Sequence, residues 1–596
     1  MEKSKITKSL AVFASVLLII IIGVASFAYF GTFNVNLNNN VAVNINSSSP
    51  GDATFISNAS QLNLQVPAAN MSYTAANNEV AAAENTAFLD VTLTGSSNLL
   101  TTCTYDIVYE YDAVSNVYGQ GTTTKTSGAT KEITIEVNGM NGNNHFATET
   151  NFDHANIQSY YDSTNKYYKL VEGATIKSLG TEQSVRWKIT GRYYNLDVSQ
   201  AQLGGKNFTG KIYAISKGCS SEDGTTVKKG YETILANNGG AASMTTLTST
   251  DFATATTASD KGMYKAQDDL GTSYYFRGAV DNNWVKYGKY TKDTYYTYDD
   301  DRNYTLVDSC DGLANCYKIA SKGDDMYWRI IRINGDNSIR MIYAGTYAPD
   351  NNTKVVMTNG NMDDDSNAIP TKTAVGYSKF NQNRDSAEYV GYMYTIGQQH
   401  GTSQSSDIKT YLENWYANYT DLNKAGTKII DQIYCNDRTA STSSSGTAGE
   451  ISSWASTGTP YYYGASLRIW GDGSNPSPSL ICSNANDKFT TTTAKGNGKL
   501  SYPIGLITAD EINMAGVNNQ SNSNTSFYLN TGDYYWVGSP YAFSDRDCAY
   551  EFFVRDVEYF DCDGVNCFYG TRGVVSLSSE SKLLGSGTYN DVYTVN

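Results

Sequence analysis

The chain has 596 residues and a formal net charge of -15, with a mean hydropathy of -0.42. It is too long for a single hydrophobic core, so two or more domains are expected. Its acidity argues against nucleic acid as a partner, because like charges repel along a phosphate backbone. Tyr is abundant, at 48 residues, and Pro is scarce, at 9. With plentiful Asn, Ser, Thr and Gly, this predicts a mainly β protein with some α, built as loop-rich extracellular domains.

Lys3, Lys5 and Lys8 precede an uncharged apolar run, Leu10 to Phe30 (LAVFASVLLIIIIGVASFAYF). At ~20 residues such a run is long enough to span a bilayer. The lysines hold the N-terminus inside, which places everything after Phe30 outside the cell. Ser26-Phe27-Ala28 supplies the small residues that signal peptidase needs. Residues 1–30 are therefore either a signal anchor, contacting the membrane through residues 10–30, or a signal peptide cleaved near Ala28.

Residues 31–216 read as an antiparallel β-sandwich. Candidate strands are Phe88–Thr94, Thr104–Tyr111, Glu132–Val137, Ser184–Tyr194 and Phe208–Ile215, each alternating or rich in β-branched and aromatic residues. The stretch GVASFAYFGTFNVNLNNNVAV, Gly23 to Val43, resembles the entry to camelysin and TasA-type secreted proteins of Gram-positive bacteria. That resemblance implies a jelly-roll-like sandwich able to build fibres, and hence a secreted matrix or fibre subunit as one alternative role. Residues 217–260 are poor in aromatics and rich in Gly, Ala, Ser and Thr, which predicts a linker, with a short helix over Tyr231–Ala236.

From Lys261 the composition turns aromatic, and residues 261–596 read as an α+β domain. Tyr327–Ile333 and Ser338–Tyr343 flank Asn334-Gly335, a hairpin signal in which Asn-Gly supplies the positive-φ turn. Asp299–Lys322 reads as an insertion ahead of it. Ser406 or Asp407 caps a helix whose Ile408, Tyr411, Leu412, Trp415 and Tyr416 share one face. Thr508-Ala509-Asp510-Glu511 is a capping box, with Gly516 placed to stop the helix.

Nine cysteines leave at least one unpaired or intermolecular. Export permits disulfides, and spacing points to Cys310 with Cys316, Cys435 with Cys482, and Cys562 with Cys567. CxxC pairs, the mark of zinc ribbons and thioredoxin-type sites, do not occur. His145, His154 and His400 lie in polar contexts and read as exposed loop residues. Asp363-Asp364-Asp365-Ser366-Asn367 begins like a calcium loop but lacks the Gly and the distant Glu of an EF-hand. It reads as a solvated acidic loop, so no cofactor is expected.

The segments YWRIIRINGDNSIRMIYAG, IKTYLENWY, YPIGLITADEINMAG and YYWVGSPY together resemble a domain of gut Firmicutes surface proteins, similar to the C-type-lectin fold shared by formylglycine-generating-enzyme-like proteins. The usual closing phrase there is of the type Gly-Val-Arg-Pro-Val-Val-Ser-Leu. Gly570 to Leu577 departs from it at Thr571 and Gly573, which predicts a looser turn before the strand. The resemblance implies that Tyr327–Ile333 lies near the C-terminal strands.

Between Tyr541 and Tyr569 the chain mixes Tyr, Phe, Asp, Arg, Cys and Ser without alternation, which predicts a displayed surface rather than a core strand. The candidate binding residues are Tyr541, Phe543, Asp545, Arg546, Tyr550, Arg555, Tyr559, Phe560 and Phe568. Phe552 to Val554 reads as one short buried strand. The block lacks Lys, Gln, Met and Trp, residues that an AAC codon randomised at its adenines cannot encode; Glu551 and Glu558 would then be fixed positions. Variable proteins of diversity-generating retroelements, which the domain resembles, place such a block near the C-terminus. The expected role is a bacterial cell-surface adhesin or receptor for a protein or glycan. The C-x4-C spacing of Cys562 and Cys567 is similar to the active-site pair of formylglycine-generating enzymes, which makes an oxidase the enzymatic alternative.

Overall fold

A computed structural model describes the chain from Val41 to Asn596 apart from several loops, the longest being 66–80, 112–132, 195–206 and 349–372; residues 154–160, 518–526 and 556–559 are also outside it. The apolar run Leu10–Phe30, His154 and the acidic loop Asp363–Asn367 therefore lie outside the described residues. Among those described, no helix is long and apolar enough to cross a membrane.

The protein is mainly β with some α. Alternation in the N-terminal strands buries one face of each, and two antiparallel sheets pack those faces together. One sheet runs in the order Val41–Ile45, Ala53–Ser57, Ala81–Thr94, Gln183–Tyr194, Ile133–Asn141, and the other Ser60–Gln65, Asn207–Asp223, Leu99–Tyr111, Tyr167–Ser178. Leu89, Val91, Tyr105, Ile107, Trp187 and Ile189 fill the space between. The strands outrun their apolar patterns, and their extensions place Cys103 opposite Cys219. The two form a disulfide across 116 residues, a pairing that spacing does not reveal.

Residues 217–260 are not a linker. The last sandwich strand continues to Asp223, and the helix Gly230–Asn237 buries Ile234 in the C-terminal core. Met244 joins that core, and Phe252 packs on Tyr275 and Met514. The polar residues that imitate a linker here cap short turns: Thr248 with Asp251, and Thr257 with Asp260. Buried Arg277 then binds four carbonyls, those of Asp251, Thr254, Asn513 and Met514. The C-terminal unit thus begins near Lys229.

The C-terminal unit is organised on the hairpin Asp325–Ile333 and Ile339–Tyr343. The positive φ in its turn falls on Asn337, not on Gly335. Gly335 is needed because its backbone lies against Gly271, where a Cβ would clash. Val574–Leu577 adds to one side of the hairpin and Trp284–Lys289 to the other, with Tyr593–Val595 beyond. Thr571 to Gly573 is buried rather than loose. Thr571 exchanges backbone hydrogen bonds with Val375 and Gly376, and Gly573 packs tightly on Ile504 and Trp415.

Both expected helices form. Asp407–Tyr419 is capped by Ser406 and buries Ile408, Tyr411, Leu412, Trp415 and Tyr416. Ala509–Met514 starts at the Thr508/Glu511 capping box, and Gly516 follows at φ 122°. Glu511 does more than cap. Its carboxylate accepts from Arg332 Nε at 2.8 Å and lies 2.7 Å from Arg340 Nε, while Arg332 also binds Asp268 at 2.6 Å. Burial raises the Glu511 pKa, but Arg340 and Arg332 overcome this and hold it below the ordinary value. The folded pKa lies below the unfolded one, near 4.3. The contribution to stability is therefore present above that range and is lost as pH falls through the folded value. Glu511→Gln should cost about 3–5 kcal/mol, as for a broken buried ion pair, and should flatten the acid limb of stability against pH. Urea unfolding between neutral and acid pH measures both.

Candidate functional site

The block Tyr541–Tyr569 spans the end of the strand Tyr535–Phe543, the strands Ala549–Val554 and Phe560–Gly564, and most of Phe568–Gly570. Phe552, Phe553 and Val554 are all buried, as the sequence predicts. Alternation is missing because both faces of Ala549–Val554 are covered. Phe552 packs on Trp470 at 5.1 Å and on Tyr541 at 5.3 Å. On the opposite face, Phe553 stacks on Tyr569 at 4.3 Å, and Trp536 meets that tyrosine at 4.7 Å. On the same face as Phe553, Glu551 is fully buried with neither carboxylate oxygen hydrogen-bonded among the described residues. Burial pushes its pKa well above the usual carboxylate range, with Arg438 acting in the other direction.

This frame divides the nine candidate residues. Phe543 is 1% exposed and belongs to the core, so it is not a displayed contact. Its strand is flanked by Tyr461–Tyr463 and Ala549–Val554, which close over it. Tyr541 is half-buried against Trp470 and Phe552, and burial lifts its pKa to about 12. Arg546 is exposed in the turn before Asp547, whose φ is 55° and whose carboxylate accepts from Gly458 N at 2.7 Å. Tyr550 is partly exposed beside Cys548. Arg555 is partly exposed, 3.5 Å from Asp561 and within reach of Tyr534. Phe568 is partly exposed against Tyr304 at 5.6 Å. Asp545, Tyr559 and the side chain of Phe560 lie outside the described residues.

These residues do not form one patch. The register pairs Phe552 with Cys562 and Tyr550 with Gly564, so Tyr550 shares a face with Cys562. Arg555 and Asp561 take the other face, with Phe553. Phe568 is continued instead by residues in and just before the insertion Asp299–Lys322. The sheet Thr294–Tyr298, Tyr304–Val307, Cys316–Ala320 is closed by the Cys310–Cys316 disulfide. It brings Tyr298, Tyr304 and Tyr317 beside Phe568 as a partly exposed aromatic rim. Arg302, at φ 57°, lays its guanidinium 4.6 Å from the Tyr298 ring centre and 5.3 Å from that of Phe568. Lys379 Nζ ties this insertion down through Asp301 O at 3.0 Å and Asn303 at 3.2 Å. The signal that could have found it was aromatic density, YYTYDDDRNY, at Tyr295–Tyr304.

The Cys435–Cys482 disulfide also forms, but Cys562 and Cys567 are thiols, as is Cys548. Cys562 faces Phe552 and the Tyr541 side, whereas Cys567 interacts with Asp563, one residue along and hence on the opposite face. Strand alternation keeps the two apart despite their short spacing. Burial, then Asp561 for one and Asp563 for the other, pushes both pKa values up to about 12, the reverse of an activated thiol. His400 is not an exposed loop residue. Its Nδ1 lies 2.9 Å from buried Asp487, which also pairs with Arg438. His145 closes a short strand, Asn144–His145. Among the described residues no cluster of three or more His, Cys, Asp or Glu is placed to hold a metal.

Comparisons with family models, with curated proteins and with solved structures found no match.

Two outcomes check this geometry. Phe543→Ala should destabilise by about 3–5 kcal/mol, whereas Arg546→Ala should stay within about 0.5 kcal/mol; chemical denaturation of both variants separates frame from surface. Alkylation of Cys562 and Cys567 should be slow at neutral pH and accelerate only as pH rises toward 12, followed by peptide mass spectrometry.

Proposed function

We propose that this chain is a bacterial cell-surface ligand-binding protein, an adhesin or receptor, that presents the turns of the Tyr541–Tyr569 block on a C-type-lectin-like frame. The observation that carries the reading is the separation within the block: Phe543, Glu551, Phe552, Phe553 and Val554 are buried, while Arg546, Tyr550, Arg555 and Phe568 reach solvent. Tyr and Arg at such positions supply contact area and charged hydrogen bonds at low entropic cost. Arg302 and Tyr298 extend the contact area beside Phe568.

Diversification of the block fits the same separation. Glu551, which a randomised AAC codon cannot encode, is a buried frame residue rather than a surface one. The apolar run Leu10–Phe30 would hold the chain at the membrane with both domains outside. The protein or glycan ligand is to be found by array screening with the full chain.

With that ligand, alanine at Arg546, Tyr550, Arg555 or Phe568 should each weaken binding by about 1–3 kcal/mol where the residue is an anchor, with melting temperature unchanged. If all four variants bind as tightly as the parent, the block is not the binding surface. A near-copy of its coding segment beside a reverse-transcriptase gene, differing at adenines, would mark programmed variation. An identical block in close strains with no such copy would leave an adhesin of fixed specificity.

A further inference from the structure

A cleft separates the sandwich from the C-terminal domain. One chamber, of about 650 Å3, lies between Asp90, Ser184 and Arg186 of the sandwich and Lys286, Lys318 and Lys322 of the other domain. A second, of about 740 Å3, shares Ser184, Lys286 and Tyr327 with the first. The two chambers adjoin at Lys286, whose ammonium donates to Ser184 O at 2.9 Å. Each chamber has the volume of a small-ligand site, roughly 300–1,000 Å3.

The first chamber reverses the charge of the chain. The protein has 44 Lys and Arg against 59 Asp and Glu, yet this lining has five cations (Arg186, Lys286, Lys289, Lys318, Lys322) against three acids (Asp90, Asp324, Asp325). The acids are already engaged. Asp90 takes both arms of Arg186, at 2.7 and 3.0 Å. Asp325 lies 3.2 Å from Lys289, and Asp324 accepts from Ser321 N at 2.8 Å. Lys318 and Lys322 remain. Lys318 is half-exposed, and its closest acid is Asp293 at 4.0 Å, outside the lining. Lys322 is exposed, and its ammonium has no ion pair or hydrogen bond among the described residues.

The second chamber has a different chemistry. Amides and hydroxyls from both domains line it, Thr175 from the sandwich and Asn237, Ser586 and Asn590 from the other side, with the half-exposed ring of Tyr589 beside them. Such groups suit a hydroxyl-rich ligand that also offers an apolar ring face.

We propose that this interdomain cleft binds an acidic oligosaccharide, its carboxylate or phosphate at Lys318 and Lys322 and its neutral rings along Tyr589 and Asn590. The site is separate from the Tyr541–Tyr569 block and does not depend on that block binding anything.

The test is calorimetric titration of the full chain with tetragalacturonate, a phosphate-bearing oligosaccharide of equal length, maltotetraose and inorganic phosphate. At least one acidic oligosaccharide should bind about tenfold more tightly than maltotetraose, and added NaCl should weaken it. The double variant Lys318→Glu, Lys322→Glu should reduce that binding by about tenfold or more with an unchanged melting curve, since both side chains are exposed. Asn590→Trp, which fills the second chamber, should weaken the oligosaccharide but not inorganic phosphate. Which acidic probe binds distinguishes a uronate from a phosphate ligand. Equal affinity for maltotetraose, no loss in either variant, or no binding by any probe overturns the proposal. Phosphate alone binding as tightly as the oligosaccharides would reduce the site to a simple anion site and overturn the glycan assignment.

Discussion

The buried carboxylate of Glu511 ties together three parts of the C-terminal domain that are far apart in sequence. It caps its own six-residue helix, receives Arg332 and Arg340 from the two arms of the central hairpin, and through Arg332 is linked to Asp268. A helix this short does not persist alone, and two buried arginines without a partner would each carry a large desolvation cost. Each component is tolerable only when the others are present. The hairpin turn is drawn into the same arrangement, because Gly335 N donates to Asp268 at 2.9 Å while its backbone lies against Gly271. The network defines where the hairpin, the strand Lys261–Asp268 and the helix sit, and the strands that carry Tyr541–Tyr569 follow that helix.

The block shows how one sequence pattern arises from two opposite environments. Loss of alternation is expected for an irregular surface, and equally for a strand covered on both faces. Ala549–Val554 is the second case. Its covers come from elsewhere: Trp470 ends a short helix, Trp536 lies on the neighbouring strand, and Tyr569 follows the hairpin. What reaches solvent among the described residues of the block is Arg546, Tyr550, Arg555 and Phe568, with rings packed beside them.

A similar ambiguity hid the segment between the domains. Gly, Ala, Ser and Thr are the composition of a flexible linker, and also of capped single turns packed on a larger body. Here Arg277 decides between them by satisfying four carbonyls at once. Across the cleft the two domains meet through polar contacts: Thr181 Oγ1 donates to Asn596 at 2.6 Å, and Lys582 Nζ to Gly224 O at 2.6 Å. Interfaces within a chain are more polar than obligate ones, and the cationic chamber lies along this one.

Local physics was enough for much of the fold. The apolar alternation of Phe88–Thr94 and Ser184–Tyr194 marked sandwich strands, and the helical face of Ile408 to Tyr416, the Thr508 capping box and the Cys310–Cys316 bridge were readable because their partners are near in sequence or periodic within one element. The Cys103–Cys219 bridge, the coverage of Phe543 and Phe552, the separation of Cys562 from Cys567 and the aromatic rim around Phe568 depended on which strands pair and in what register. A one-residue change of register turns every side chain to the other face, and nothing within the block states its register. Sequence alone therefore determined which residues could serve a binding surface, and the tertiary structure decided which of them reach solvent.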